Sequence, residues 1–516
     1  MFKKNKKSTQ NNSVKVKFKD KIKENHSSGY KKVAYYMSLK NLIADIEKMG
    51  FKGSIKKICG IILAYVAIAA SVSIFMELNP ICFIIMLFVG MLIVPLIILN
   101  AYKKIYEDNR FREVSQYIEQ MLYSFKNTNK VLKSLKDIQP MFKDSPMGET
   151  IKNCINEIPD VGIEKALSNF EKIYDCQKIH QLNQFMIEVE RVGGDHDNSI
   201  NLLLQDRELW VNRTLEYKKE RNHQKTTVFM AILMSFTLCV FMEKILPAQI
   251  DVTSNVFHHV SATLLFLLDL ILFYMTDNFC SASILNNFKM RSDADIKKYY
   301  EYLVNYNAKK EFAKGVRMAA GGIFIVVFGL ISKEMTYVFI GIIFSVFCLV
   351  KNKATYNTRF KVIKEEIEIQ FPRWLMNMAL YVQSNSVQVA LYKSIPTAPL
   401  VLQPELIKLN NAIRENPVSV NPWLDFMKDF DVPDITASMT MFYSIASGAG
   451  ANVQEQVNEI IKRNNALLDK TERIANDNLL ARMYLFFLAP QLTGSFKIIV
   501  DMVIFFSTFM SSSMPI

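Results

Sequence analysis

The sequence lacks the motifs that mark the common families of enzymes and nucleotide-driven motors. It contains no GxxxxGK[ST] phosphate loop, no HExxH zinc motif and no GxSxG nucleophile turn, each of which places reactive groups through a fixed spacing. Its seven cysteines form no CxxC pair, so neither a zinc site nor a disulfide framework is indicated. We therefore expect no catalytic residue, no metal and no cofactor, and we expect any motor to be a separate protein.

Charge is absent from two neighbouring stretches, 58–76 and 81–99. About 20 apolar residues in a helix span the hydrocarbon core of a bilayer. The last apolar stretch is longer and carries Pro490 and Gly494 near its middle, so it is either one kinked span or a tight hairpin. The sequence predicts an all-α polytopic membrane protein with about seven transmembrane helices. The five further apolar stretches are 226–242, 260–276, 318–332, 335–350 and 483–510.

Two polar blocks of similar size lie between the apolar stretches. Apolar residues recur in both at a spacing of three and four, as in Tyr117, Met121 and Phe125, which places them on one helix face. We therefore interpret both blocks as helical bundles. The predicted organisation is a Lys-rich segment 1–57, a transmembrane hairpin 58–100, a bundle 101–225, two transmembrane helices 226–277, a basic link 278–317, a second hairpin 318–350, a second bundle 351–482 and a C-terminal transmembrane segment 483–510.

Positive charge is concentrated at the amino end. Residues 1–57 hold sixteen lysines against four acidic residues, which gives +12 of the total net charge of +13. A basic segment ahead of a first span is favoured on the cytosolic side, where it also attracts anionic lipid. We therefore expect a cytosolic amino terminus, anionic membrane lipid as a partner and no nucleic acid. Basic clusters near 278–317 and 351–364 then place both bundles on the same side.

The two blocks match each other at a shift of 257 residues. This shift pairs Gly193 with Gly450. It also pairs Thr226 with Met483, the position at which an apolar stretch begins in each copy. A common register across glycines and span starts indicates an internal repeat. We therefore expect the unit of hairpin, bundle and span to occur twice.

A Glu followed three residues later by Gly lies at a predicted helix-to-helix turn, at Glu190 and Gly193. In the second copy Gly450 is retained and Ser447 stands where the Glu would be. With the two-copy layout, this motif resembles the type II secretion F-domain family, the inner-membrane platforms of type IV pili, tight-adherence pili and type II secretion systems. The resemblance covers about residues 58–510 and is greatest to tight-adherence platforms, in which two spans precede each bundle.

The Glu-x-x-Gly motif has a mechanical explanation. A glycine in the left-handed conformation ends a helix and lets the next helix fold back, which is the role expected of Gly193 and Gly450. Glu190 either pairs with a basic residue or caps a neighbouring helix within the chain, or it contacts a partner. The sequence leaves these alternatives open.

The resemblance implies a non-enzymatic platform in the inner, cytoplasmic membrane. It implies that the two bundles are F domains docking on a hexameric secretion ATPase, and that the spans receive pilin-like subunits for pilus or pseudopilus assembly or for protein secretion. It also implies assembly as a homo- or hetero-oligomer. The expected couplers between bundles and spans are Lys218, Lys219, Arg221, Arg473 and Arg482.

Three charged residues fall inside predicted spans, namely Asp269 in the fourth and Lys497 and Asp501 in the seventh. An ionisable residue at membrane depth is a functional hypothesis, because its insertion costs about 2.5–3.5 kcal/mol. Lys497 and Asp501 stand four residues apart and can neutralise each other on one helix face, so we favour a structural pair over a proton relay. Asp269 has no partner in its own span, so it faces another helix or its span sits shallowly.

Two other classes of protein fit parts of this pattern. A repeat-built secondary transporter would carry polar residues and broken helices at matching mid-membrane positions in both halves, whereas here the bundles match and the spans are mostly apolar. A membrane scaffold unrelated to filaments is the second alternative. A neighbouring gene for a secretion ATPase, together with genes for small pilin-like proteins, would favour the platform over both.

The topology gives a first prediction. In intact cells a membrane-impermeant maleimide should label a single cysteine placed at 252–255 and should not label one placed in 101–225 or 351–482. All sites should react after the cells are opened, which controls for burial. Labelling of either block from outside would refute a shared cytosolic side.

Overall fold

The computed structural model describes residues 35–36, 38–51, 55–193, 196–247, 252–285, 292–332, 335–382, 385–448, 453–481 and 483–513. Over these residues the secondary structure is helical, without a strand. Most of the Lys-rich segment lies outside them. In chain order the α-helices are α1 (Leu39–Lys48), α2 (Ile55–Phe75), α3 (Pro80–Thr128), α4 (Val131–Ile138), α5 (Pro146–Val161), α6 (Ile163–Tyr174), α7 (Gln177–Val192), α8 (Asp197–Ile245), α9 (Val256–Cys280), α10 (Asp293–Val304), α11 (Ala308–Ile331), α12 (Met335–Val382), α13 (Val387–Ser394), α14 (Gln403–Glu415), α15 (Asn421–Asp425), α16 (Pro433–Ala446), α17 (Val453–Ala481) and α18 (Met483–Ser513).

Seven helices in the described part of the chain are long and apolar enough to cross a membrane. Six of them are α2, α3, α8, α9, α11 and α12, and the seventh candidate, Glu455–Ser511, contains the apolar stretch of α18. The predicted all-α class is therefore confirmed, and the length and composition of these helices are those of a multi-pass membrane protein.

Three long helices run from apolar into polar sequence without a break. α3 and α8 have 49 residues each and α12 has 48, so the boundaries expected at 100/101, 225/226 and 350/351 fall inside helices. A helix satisfies its own backbone hydrogen bonds, and nothing in its geometry requires it to end at a membrane surface. The last apolar stretch is one helix, α18, with Pro490 inside it.

The chain divides into two compact units. Unit 1 comprises residues 1–190, 207–287 and 476–516, and unit 2 comprises residues 191–206 and 288–475. The last span, α18, therefore packs with the spans of unit 1, although the sequence repeat assigns it to the second copy. Contact with those helices, described below, explains this grouping.

A hydrogen bond and two clusters of apolar side chains join the membrane helices of unit 1. Tyr65 of α2 donates its hydroxyl to the Met86 carbonyl of α3 at 2.6 Å. The amphipathic α1 buries Leu42 and Ile46 against α2 and α3, which brings a polar helix close beside the first hairpin. The buried cluster between the spans consists of Ala69, Met76, Leu78, Met86, Cys239, Ala262, Leu265 and Phe266.

Aromatic pairs join the helices of the polar block in unit 1. Tyr117 of α3 stacks on Phe170 of α6 with ring centroids 4.9 Å apart, and Phe111 of α3 meets Trp210 of α8 at 5.0 Å. Such pairs add to the free energy gained by burying large side chains. The helix face that the sequence placed inward is buried, and it consists of Tyr117, Ile118, Met121, Leu122 and Phe125.

Unit 2 contains the hairpin of α11 and α12 and the second polar block. The block is centred on Trp374, which is buried and donates its indole N–H to Ser394 Oγ at 3.0 Å. In the hairpin, Ser345 of α12 donates to the Ala319 carbonyl of α11 at 3.2 Å. A side chain at Gly322 would have its Cβ 2.8 Å from the Gly341 carbonyl oxygen. The two helices approach closely because both carry glycine at the crossing.

The glycines of α11 supply a matched pair of substitutions. Gly322→Leu should destabilise the protein by roughly 1–3 kcal/mol, because the new side chain would be forced into α12. Gly321→Leu should be close to neutral, since nothing lies within 4 Å of a Cβ at that position. Thermal unfolding of the purified full chain in detergent would measure the difference. Equal losses in the two variants would argue against close packing of this hairpin.

Candidate functional site: a buried ionic cluster between membrane helices

Four ionisable side chains meet at one end of the membrane helices of unit 1, and we call them the ionic cluster. α8 brings Glu243 just before it ends, and α9 brings His258 in its first turn. α18 brings Lys497 and Asp501, which lie one turn apart on the same face. All four side chains are buried. The cluster lies beside the turn that follows α2, because His258 also contacts the backbone of Met76.

Lys497 is the centre of the cluster. Its ammonium is fully buried and contacts Asp501 Oδ2 on its own helix. It also lies 3.6 Å from Glu243 Oε2 and 3.2 Å from His258 Nδ1. The structure thus brings together the two charges that the sequence paired and adds two more partners. Because the partners come from three helices, Lys497 ties α18 to α8 and α9.

His258 Nδ1 lies between an acceptor and a donor, so its hydrogen-bond partner depends on whether it carries a hydrogen. Its Nε2 lies 3.2 Å from the Met76 carbonyl, which only accepts hydrogen bonds, so Nε2 carries the hydrogen there. Nδ1 lies 3.0 Å from Asp501 Oδ1 and 3.2 Å from Lys497 Nζ. A neutral ring accepts from Lys497 at Nδ1, whereas a charged ring donates to Asp501 from the same atom.

The charges of the cluster balance when His258 carries its second proton, because two carboxylates then face one ammonium and one imidazolium. Oxygen and nitrogen atoms of Glu243, His258 and Asp501 lie within 4.8 Å of one another, a spacing that a metal ion would fit. The Lys497 ammonium already lies among these atoms and supplies the positive charge. The arrangement is therefore an internal salt bridge network, and a metal ion would have to displace Lys497.

Asp269 lies deeper in the same interface, in the middle of α9. It is buried and its Oδ1 lies 2.9 Å from Thr493 Oγ1 of α18. It therefore faces another helix, which was one of the two alternatives left by the sequence. Among the described residues it has no basic partner.

Glu190 makes contacts within the chain. Its Oε2 accepts a hydrogen bond from the backbone N–H of Val131 at 2.8 Å, and its Oε1 lies 3.7 Å from Lys130 Nζ. A carboxylate at the first turn of α4 satisfies a free N–H group and interacts favourably with the helix dipole. The structure thus shows both internal roles that the sequence had proposed for Glu190, capping and ion pairing.

A left-handed glycine follows the corresponding helix in each block. Gly193 directly after α7 has φ +72°, and Gly448 shortly after α16 has φ +69°. Gly450, which the sequence aligned with Gly193, lies outside the described residues. Both turns therefore use a glycine where an L side chain would be strained.

The expected couplers differ in their surroundings. Lys218 pairs with Asp108 of α3 at 2.8 Å, whereas Lys219 is exposed. Arg221 is buried and donates to the Ala282 carbonyl at 3.3 Å. Arg221 therefore fixes the polar half of α8 against the segment after α9.

In the second block, Arg473 pairs with Asp469 on its own helix at 3.0 Å, and Arg482 lies outside the described residues. Near Arg221, burial lowers the pKa of Lys104, and the positive charges of Lys225 and Arg221 lower it further. Lys225 in turn contacts Asp277. Positive charge is thus concentrated near the middle of α8, where its apolar half begins, and the ionic cluster lies at the other end of that half.

Sequence reasoning missed Glu243 and His258. Each lies just outside an apolar stretch, Glu243 after 226–242 and His258 before 260–276, so both resembled residues of a loop. The available signal was their position, because an acid that ends one span and a histidine that begins the next are close in space when the connecting loop is short.

The fold and the site together define an all-helical multi-pass membrane protein with a buried network of charges. No family model matches the chain, and no curated protein or solved structure matches it either.

The ionic cluster predicts an order of severity among substitutions. Lys497→Met leaves two buried carboxylates opposite one histidine and should cost about 3–5 kcal/mol. Asp501→Leu leaves Lys497 with Glu243 and should cost less. The double substitution leaves Glu243 beside His258 and should recover much of the loss caused by Lys497→Met.

Membrane accumulation and thermal unfolding of the full chain would give this order. A matched control is Lys219→Met on α8, which removes an exposed lysine and should be close to neutral. If the double variant is as unstable as Lys497→Met, charge balance is not what the cluster provides.

Proposed function

We propose that this protein is a non-enzymatic platform in the cytoplasmic membrane, which couples a hexameric secretion ATPase to assembly of a pilus or pseudopilus or to protein secretion. In this proposal the two polar blocks are F domains that face the cytosol with the amino terminus. The proposal begins from the resemblance to the F-domain family.

The observation that carries the proposal is the order of helices in the two blocks. In each, a helix of 48 or 49 residues that begins in apolar sequence, α3 or α12, is followed by an 8-residue helix, α4 or α13. A shift of about 256 residues relates the start of α4 to that of α13, and the start of α8 to that of α17. The similar order supports two copies of one domain, as the platform family has.

Continuous helices suit a mechanical role. α3, at 1.5 Å per residue, is about 70 Å long. Such a helix reaches from the membrane into the block without a joint, so displacement of the block by an ATPase moves the span as well. The absence of a phosphate loop agrees with a motor on another chain.

The proposed platform also has expected partners. Pilin-like subunits would be received by the spans, the Lys-rich amino end would contact anionic lipid, and several copies or related chains would assemble as an oligomer. Lys219 is a coupler open to a partner, because it is exposed on α8.

A secondary transporter is the second candidate, since the ionic cluster places four ionisable groups inside the membrane part of unit 1. A transporter built from repeats carries such groups at matching positions in both halves. The ionic cluster is instead one site to which α8, α9 and α18 all contribute, and the hairpins 58–100 and 318–350 carry no charge inside their apolar stretches. A single shared site, in place of one site in each half, favours the platform.

The platform predicts binding of a hexameric secretion ATPase encoded by the same genome. The purified full chain in lipid nanodiscs should retain this ATPase. Lys219→Glu should weaken binding, whereas Lys244→Glu, a change of an exposed lysine at the C-terminal end of the same helix, should not. The chain alone should show no motor-level ATP hydrolysis. Unaided hydrolysis, or failure to bind any such ATPase, would contradict the proposal.

A further inference from the structure

The deeper carboxyl, Asp269, is separated from the ionic cluster. It lies about 16 Å along α9 from His258, at 1.5 Å per residue. Its Oδ1 is 2.9 Å from Thr493 Oγ1, and its Oδ2 is buried without a hydrogen-bond partner. A carboxylate in this position would hold an uncompensated charge inside an apolar membrane segment.

In the part of the chain that the structure describes, no charged group on the surrounding helices is paired with Asp269. Within the ionic cluster, Lys497 is already paired with acids other than Asp269. On its own helix, His258 and Asp277 have other partners. Within the apolar stretches 58–76, 81–99, 226–242 and 483–510 of the packed helices, and at Glu243 directly after the third stretch, the ionisable groups are Cys59, Tyr65, Cys82, Cys239, Glu243, Tyr484, Lys497 and Asp501.

The hydrogen-bond geometry around Thr493 indicates where the hydrogens are. Its Oγ1 lies 2.9 Å from Asp269 Oδ1 and also 2.9 Å from the Pro490 carbonyl oxygen. A hydroxyl has one hydrogen, and a carbonyl oxygen only accepts. The Thr493 hydroxyl can donate either to Asp269 Oδ1 or to the Pro490 carbonyl, and a protonated Asp269 lets both contacts be hydrogen bonds at once, because the carboxyl then donates to Thr493. A neutral acid also removes the uncompensated charge of a buried carboxylate.

We propose that Asp269 is a proton-binding site inside the membrane, in which the protonated carboxyl donates to Thr493 and Thr493 donates to the Pro490 carbonyl. The ligand is a proton taken from water, and binding converts the carboxylate to the neutral acid. This site is independent of the platform proposal, because it follows from the groups around Asp269 alone.

Protonation of Asp269 would change the hydrogen bonds at the point where α8, α9 and α18 meet. The Pro490 carbonyl of α18 also accepts from Ser235 of α8 at 2.8 Å. When Asp269 loses its proton, Thr493 must donate to Asp269 instead, and Pro490 keeps only one of its two hydroxyl donors. Protonation therefore sets how firmly the backbone of α18 is held against α8 and α9.

Infrared spectroscopy of the full chain in nanodiscs tests this site directly. At neutral pH, Asp269→Asn should remove a C=O stretch of a protonated carboxylic acid. Asp277→Asn is the matched control on the same helix, because Asp277 contacts Lys225 and should lose carboxylate bands. Loss of carboxylate bands in Asp269→Asn would overturn the proposal.

A second variant covers the case in which Asp269→Asn does not accumulate. Carboxyl-labelled aspartate in the wild-type chain should show one acid band, and Thr493→Val should shift its frequency by removing the hydrogen-bond partner. Absence of an acid band, or an acid band that Thr493→Val leaves unshifted, would show that Asp269 does not bind a proton as described.

The pH dependence of unfolding provides an independent readout. The folded protein would hold a proton that the unfolded chain releases above about pH 4. From about pH 4 up to the pKa of Asp269 in the folded protein, raising the pH should therefore favour unfolding of the wild type over Asp269→Asn, by about tenfold in the ratio of their unfolding constants per pH unit. Identical pH profiles for the two proteins would contradict the proposal.

Discussion

The buried ammonium of Lys497 is the constraint on which the membrane part of unit 1 depends. A cation inside an apolar environment is tolerated only when acceptors surround it. Here the acceptors come from α8, α9 and α18, and the histidine among them is fixed by the backbone after α2. Satisfying one charge therefore determines the position of several helices, which apolar packing against lipid does not do.

The same interface shows two ways of keeping charge out of an apolar medium. Near the turn after α2, side chains of opposite charge lie in contact with one another. Around Asp269 the described residues supply no counter-charge, and in our proposal a proton takes its place. Small residues make this possible: Gly494 lies against Ser235, and Cys239 contacts the Gly494 carbonyl. α8 and α18 can thus approach closely enough for hydroxyl groups to reach the backbone.

The sequence alone was sufficient to predict an all-α membrane protein. Charge-free stretches indicated the spans, and the spacing of Tyr117, Met121 and Phe125 indicated the buried face of α3, because both signals are local. The pairing of Lys497 with Asp501 was also local, since four residues form one helical turn. The sequence did not identify Glu243 and His258 as members of the ionic cluster. Their role depends on which helices are neighbours, and no local sequence pattern carries that information. The continuity of α3, α8 and α12 was missed for another reason: a change of composition was taken for the end of a helix.

Unit 1 is discontinuous in the chain, and this has a consequence for its biogenesis. Its final helix is made about 250 residues after Glu243 has entered the membrane. Until then Glu243 and His258 face the bilayer or each other without the lysine that neutralises them. Insertion of α18 is therefore the step that closes the helix bundle, and a nascent chain truncated before it would present unpaired membrane charges that quality-control proteases can recognise.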